Sequence, residues 1–208
     1  MELIIFDCDG TLVDSEYLCN LGMEQQLAEI GFNVSATALT SEFRGVSLAK
    51  IMSTLASRLE TTFPADFEVE YRKKVLGLFD QHLNVNEGVI ELIESLSTPF
   101  CIASSAPRTK IERALEVTGL SQYFTPDIIF SAHEVGSWKP EPGLFLHAAK
   151  TMGADPSRCY VVEDSLVGLQ AANNAKMNCI YYAPGIIEKS PLAKIQVQHM
   201  SELLTVLK

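Results

Sequence analysis

Excess positive charge is what this sequence most plainly lacks: 16 Lys and Arg stand against 26 Asp and Glu, a formal net charge of −10. Nucleic acid is held by surplus Lys and Arg, so this balance argues against a nucleic-acid partner and against an anionic membrane surface. An anionic small molecule stays open, because a few local cations or a metal decide that. Paired cysteines are missing as well. Cys8, Cys19, Cys101, Cys159 and Cys179 are scattered, odd in number and without a CxxC spacing. Neither a zinc site nor a disulfide framework follows, and reduced thiols in a cytoplasmic protein are the expectation. His82, His133, His147 and His199 show no metal-ligand spacing and read as surface or packing residues. No apolar run reaches membrane length, and the N-terminus opens on strand-like residues without a basic leader.

What is present is ordinary globular composition, 47% apolar and 20% charged over 208 residues. That length holds one large domain, or one domain with a modest insert. Five short runs are rich in Ile, Val and Phe: "LIIF" at 3–6, "FCIA" at 100–103, "DIIF" at 127–130, "CYVV" at 159–162 and "NCIYY" at 178–182. They do not alternate apolar with polar, so they predict strands buried on both faces. Helical patterns lie between most of them. Pro107 opens one, with Ile111, Leu115 and Thr118 on a face and Gly119 as its stop; Pro142 opens another, striped by Leu144, Ala148 and Met152. Repetition of strand, helix, strand predicts a doubly wound parallel α/β sheet.

One stretch breaks the pattern. From residue 15 to residue 83 no convincing strand occurs, while Leu48, Ile51, Met52, Leu55 and Leu59, then Phe67, Tyr71, Val75 and Phe79, recur at helical spacing. About four helices are expected there, as a helical domain spanning 15–83 inserted into an α/β core of 1–14 and 84–208.

Ligands of open parallel sheets bind beyond the carboxyl ends of the strands, so the residues at those ends are the informative ones. The first strand ends in Asp7-Cys8-Asp9-Gly10-Thr11, the second in Ser104-Ser105. Lys139 follows the third within "KPEPGLF", and Glu163-Asp164 closes the fourth before "SLVGLQAA". Acidic groups, hydroxyls and a cation would thus gather around one crevice. Each has a plain structural alternative, such as an N-cap, a turn or a surface lysine. Their coincidence at successive strand ends favours a joint role.

The ordered set resembles the haloacid dehalogenase-like superfamily, most of whose members are magnesium-dependent phosphatases. Asp7 to Thr11 resembles its DxDG[TV] motif, Ser104 its strand-ending Ser or Thr, Lys139 its KPxPxxF form, and Glu163-Asp164 its acidic pair; the helical insert sits where this branch keeps its cap. A lone DxD would be weak, whereas four motifs in order are specific. The resemblance covers essentially the whole chain and is strongest to the branch of the 6-phosphogluconate phosphatases and β-phosphoglucomutases.

What the resemblance implies is a phosphoric monoester hydrolase with Mg²⁺ as cofactor. Asp7 would be the nucleophile, forming an aspartyl-phosphate, and Asp9 the acid and base. Asp7, the backbone carbonyl of Asp9, and Asp164 would hold the metal, with Glu163 a ligand or a supporting group behind it. Ser104 and Lys139 would bind and neutralise the phosphoryl oxygens, with Gly10, Thr11 and Ser105 in the phosphate-binding turns. The partner would be a small phosphorylated metabolite, and the protein a cytoplasmic monomer.

In the inserted helices, Arg44-Gly45 falls where relatives reach toward substrate, although a surface arginine beside the N-cap Ser47 is nearly as good a reading. Mutases of the branch resemble this chain but carry a catalytic His in the first inserted helix, where alignment from Asp7 puts Cys19. A sugar or sugar-acid phosphatase is therefore expected, with a sugar-phosphate mutase as the alternative. A phospho-ligand-binding protein without activity is less favoured, since no motif is missing.

Overall fold

The computed structural model describes residues 1–207. The apolar runs form strands β1 (Leu3–Phe6), β2 (Phe100–Ser104), β3 (Ile129–Ser131), β4 (Cys159–Glu163) and β5 (Asn178–Tyr182), and a further strand, β6 (Ile195–Val197), follows. All neighbouring strands pair in parallel, in the order β3-β2-β1-β4-β5-β6. β1 lies in the middle and is completely buried, which is why it reads as an unbroken apolar run. Strand order reverses between β1 and β4, so their carboxyl ends flank a topological switch point.

Two sequence expectations shift. The strand expected over 127–130 begins at Ile129, because Pro126–Ile128 is a 3₁₀ turn. Pro126 has no N–H for a ladder and fixes its own φ. The short edge strand β6 is half-exposed at Ile195 and Gln196, and three residues carry too little periodicity to be seen.

The chain divides into two compact units: Met1–Asp14 with the chain from Asn84 onward, and Ser15–Leu83. The second contains α1 (Glu16–Glu29), α2 (Ala36–Phe43), α3 (Leu48–Arg58) and α4 (Phe67–His82). α1 packs on α2 and α4, and the α1–α4 approach depends on Gly22, whose added Cβ would lie 2.8 Å from Val75 Cγ2. Leu18, Met23, Leu27, Leu39, Leu55, Phe67 and Phe79 close this unit's own core.

The α/β unit carries α5 (Val89–Ser95), α6 (Arg108–Val117), α7 (Ala132–Val135), α8 (Gly143–Thr151), α9 (Leu166–Asn174) and α10 (Leu203–Val206). Pro107 stands at the N-cap of α6 rather than inside it, with an extended ψ of 145°. The two chain crossings at the edge of this unit are tied together. Asp14 N–H donates to the Asn84 carbonyl, Asn86 N–H to the Leu12 carbonyl, and Val13 bridges Val85. The helical segment is thus inserted between two paired strands of chain.

Candidate active site

β1 delivers Asp7 at its end, and the Asp7 N–H still donates to the Val162 carbonyl, which holds the residue in register with β4. The chain then turns sharply. Leu12 N–H and Val13 N–H return to the Cys8 carbonyl, and Gly10 adopts φ +77°. A side chain at Gly10 would be strained by that φ and would run into the Asp164 carboxylate. Glycine is required here on both counts. Asn86 locks the turn from outside, its Nδ2 donating to the Gly10 and Thr11 carbonyls at 3.0 and 2.8 Å.

Lys139 Nζ lies between two carboxylates, 2.6 Å from Asp7 Oδ1 and 2.5 Å from Glu163 Oε1. The three side chains are 5%, 10% and 1% exposed, so this is a buried triad and not a screened surface pair. The Lys139 ammonium also lies over the Phe145 ring, 5.1 Å from Nζ to its centre. Glu163's other oxygen, Oε2, accepts from the Ser165 N–H and hydroxyl. Both Glu163 oxygens are therefore engaged by protein donors, which fits a residue that holds Lys139 and supports the site from behind.

Asp164 Oδ1 accepts from the Thr11 hydroxyl at 3.2 Å. Ser165, the next residue, is the N-cap of α9, its Oγ accepting from the Gly168 N–H. Asp7, Glu163 and Asp164 each offer a carboxylate oxygen within 4.8 Å of the others. Three carboxylates against the Lys139 ammonium leave an excess of two negative charges when all are ionised. An all-oxygen donor set with that excess fits a hard divalent cation, and does not fit the soft ligands zinc favours.

The electrostatics follow from this crowding. Burial pushes Asp7 up to about 7, with Glu163 and Asp9 adding to the rise and Lys139 opposing it. Burial works against the charge on Lys139, but Asp7 and Glu163 outweigh it and hold the ammonium above the usual lysine range. Cys8, between the two aspartates in sequence, is 1% exposed, and burial first and its acidic neighbours second push its thiol well up. It is a packing residue and not a nucleophile.

The other expected positions fall as follows. Ser104 is buried at the end of β2, its oxygen accepting from the Ala106 N–H at 3.2 Å, which leaves its proton to donate. Ser105 follows it, half-buried. Asp9 Oδ2 is 2.7 Å from Lys110 Nζ. In the helical unit, Arg44 follows α2 and lies 3.3 Å from Glu16, and Gly45 takes φ +70°. Cys19 lies on α1, half-buried. Trp138 is 45% exposed and meets His133 edge-on.

Lys110, Asn86 and Gly168 are absent from the sequence reading. Only Gly168 left a signal, as a glycine inside the helical pattern "SLVGLQAA". Its missing Cβ is the space Glu163 occupies, and a methyl there would overlap the Glu163 carboxylate. Gly168→Ala should therefore push Glu163 off Lys139, at a cost of about 1–3 kcal/mol in stability from overpacking. A thermal melt beside a turnover assay checks this, and a variant normal in both would mean that the pocket around Glu163 yields freely.

The chain matches the family model described as haloacid dehalogenase-like hydrolase over residues 4–182. It belongs to that family. It is 34% identical to 6-phosphogluconate phosphatase of Escherichia coli K12 over 183 residues, 88% of this chain and 82% of that protein. Among solved structures, a haloacid dehalogenase-like protein of unknown function from Agrobacterium tumefaciens superposes with a TM-score of 0.84 at 31% identity, covering 100% of this chain and 97% of that one. A Thermotoga maritima protein assigned provisionally as a β-phosphoglucomutase superposes at 0.80 with 25% identity, covering 100% and 98%. The family is one of hydrolases, and this member has a phosphatase among its relatives. Its fold is the family's sheet, with β1 central and the acidic cluster at the switch point.

Proposed function

We propose that this enzyme is a Mg²⁺-dependent phosphatase of small phosphorylated carbohydrates, sugar-acid phosphates among them, acting through an aspartyl-phosphate on Asp7. The observation that carries the reading is the buried triad in which the Lys139 ammonium spans Asp7 and Glu163, beside Asp164. Phosphate monoesters hydrolyse extremely slowly unaided, and a carboxylate nucleophile splits the reaction into two easier displacements. Asp7 attacks phosphorus, and its attack on a dianion is tolerable because Lys139 lies against it. Ser104 donates its hydroxyl proton to a phosphoryl oxygen. Asp9 gives a proton to the departing alcohol and then takes one from the water that hydrolyses the aspartyl-phosphate. Mg²⁺, held by Asp7, Asp164 and the Asp9 carbonyl, supplies charge neutralisation of the phosphoryl oxygens when bound. Glu163 stays behind Lys139 and keeps it in place.

The helical unit is proposed as the family's substrate-selecting cap, with Arg44 meeting a second anionic group on the substrate in exchange for Glu16. The reduced thiols fit a cytoplasmic enzyme.

The mutase alternative draws support from the provisionally assigned β-phosphoglucomutase that superposes on this chain. A mutase needs a base to activate a second sugar hydroxyl, and Cys19 is a poor one. One experiment separates the two. The enzyme is incubated with Mg²⁺ and a panel of small phosphoesters that includes 6-phosphogluconate and β-glucose 1-phosphate, with released phosphate and glucose 6-phosphate both followed. Phosphate release that stops with EDTA and returns with Mg²⁺ is expected. Glucose 6-phosphate formed without phosphate release would replace the phosphatase with the mutase, and undiminished activity in EDTA would remove the metal.

A further inference from the structure

Asp9 does not stand alone in the turn after β1. Lys110 Nζ lies 2.7 Å from its Oδ2, with the two side chains 19% and 28% exposed. The lysine sits in the first turn of α6, and that turn is itself tied to its surroundings at several points. Arg108, two residues earlier, donates to the Ile129 carbonyl at 2.6 Å, to the Pro126 carbonyl at 3.1 Å and to Glu134 Oε2 at 2.7 Å. Ser131 Oγ donates to the Ala106 carbonyl at 2.7 Å, and Ala106 N–H donates to Ser104. The start of α6 is therefore tied to β3, to α7 and to the serine at the end of β2. An ammonium on so firm a base can hold a carboxylate in one orientation.

We propose that Lys110 is the positioning residue for Asp9, fixing its carboxylate by one oxygen so that the proton it carries rides on the other. The inference rests on the reading of Asp9 as acid and base. A carboxylate held through Oδ2 keeps that contact whether or not Oδ1 bears a proton, because a protonated carboxyl retains an acceptor oxygen. Asp9 can then donate from Oδ1 to the leaving oxygen, and accept there from water, without turning its plane between the two steps. Proton transfer by a positioned group contributes about 10²–10⁴-fold, and only while the group is within hydrogen-bond reach. Lys110 acts through Asp9 and is assigned no contact with the substrate.

The test uses leaving groups of different need. An alkyl phosphate such as 6-phosphogluconate (or the best alkyl ester of the panel above) must have its alkoxide protonated, whereas p-nitrophenolate departs without help. Lys110→Met should lower kcat/KM for the alkyl ester by about tenfold or more and leave kcat/KM for p-nitrophenyl phosphate within about threefold. With the aryl ester, kcat should still fall, because hydrolysis of the aspartyl-phosphate also uses Asp9; a burst of p-nitrophenolate should precede the slower steady rate. Lys110→Arg keeps the cation and should recover most of the alkyl-ester activity, which covers the case in which the methionine variant folds poorly. Equal losses of kcat/KM on the two esters, or a rise in KM for the alkyl ester at constant kcat, would overturn the proposal. Asp9→Asn is the control for the reading beneath it. If that variant fails to distinguish the esters, Asp9 is not the acid and the error lies in the proposed mechanism; if it distinguishes them and Lys110→Met does not, the error lies in Lys110 alone.

Discussion

Asp7→Asn is expected to fold and to be inert. The amide cannot attack phosphorus as a carboxylate does, so phosphate release should fall at least about a thousandfold. Stability should move the other way. The wild-type cluster sets three buried carboxylates against one ammonium, and burial already pushes Asp7 up to about 7 from an ordinary 3.8. In chelator, the native state therefore holds a proton on Asp7 that the unfolded chain releases. Its contribution is lost as pH rises from 3.8 to about 7, since stability falls with pH wherever the native state binds more protons. Asp7→Asn has no such group. Melting temperatures in EDTA across that range should decline less steeply in the variant than in the wild type, and at neutral pH the variant should melt no lower. Turnover within tenfold of wild type would remove Asp7 from the nucleophile's role, and parallel pH slopes would mean that its carboxyl is not resisting ionisation.

Lys139→Met should damage stability and activity together. It leaves Asp7 and Glu163 buried without the ammonium 2.6 and 2.5 Å away. Breaking a buried pair from one side costs about 3–5 kcal/mol, because the remaining charge keeps its desolvation without its partner. The deficit should shrink toward acid pH, where protonation neutralises Asp7, and grow toward alkaline pH, where Asp7 is ionised. Lys139→Arg should recover only part of the loss, since a forked guanidinium does not fit a space that holds one nitrogen between two oxygens and over the Phe145 ring. Denaturant titrations at two pH values alongside phosphate release check this. A Lys139→Met protein as stable as wild type would contradict a buried triad.

Much of the α/β unit was legible because a strand buried on both faces leaves an uninterrupted apolar run, and β1, β2, β4 and β5 are such strands. The elements that escaped notice are short or marginal. α7 has four residues, β6 has three, and the start of the third strand was displaced by Pro126. The strand-end residues stood out for a related reason: a charge directly after an apolar run is an abrupt change that needs no neighbour to be noticed. Lys110 and Asn86 offered no such contrast. A lysine in a helix and an asparagine before a turn are ordinary until the fold brings Asp9 and the Gly10–Thr11 carbonyls to them.

The sequence by itself determined the class of sheet, the helical insertion and the list of chemistry-bearing residues at successive strand ends, because periodicity and abrupt changes of polarity are local properties. The contacts made by each member of that list were decided only by the tertiary structure. Glu163 and Asp164 are neighbours with the same chemistry, and the resemblance set them apart where their local sequence does not say what each touches. In the fold, Glu163 is enclosed by Lys139, Ser165 and the missing side chain of Gly168, while Asp164 meets Thr11 beside the turn at Gly10. What each carboxylate touches depends on contacts between residues far apart in sequence, and close packing at the switch point creates those contacts.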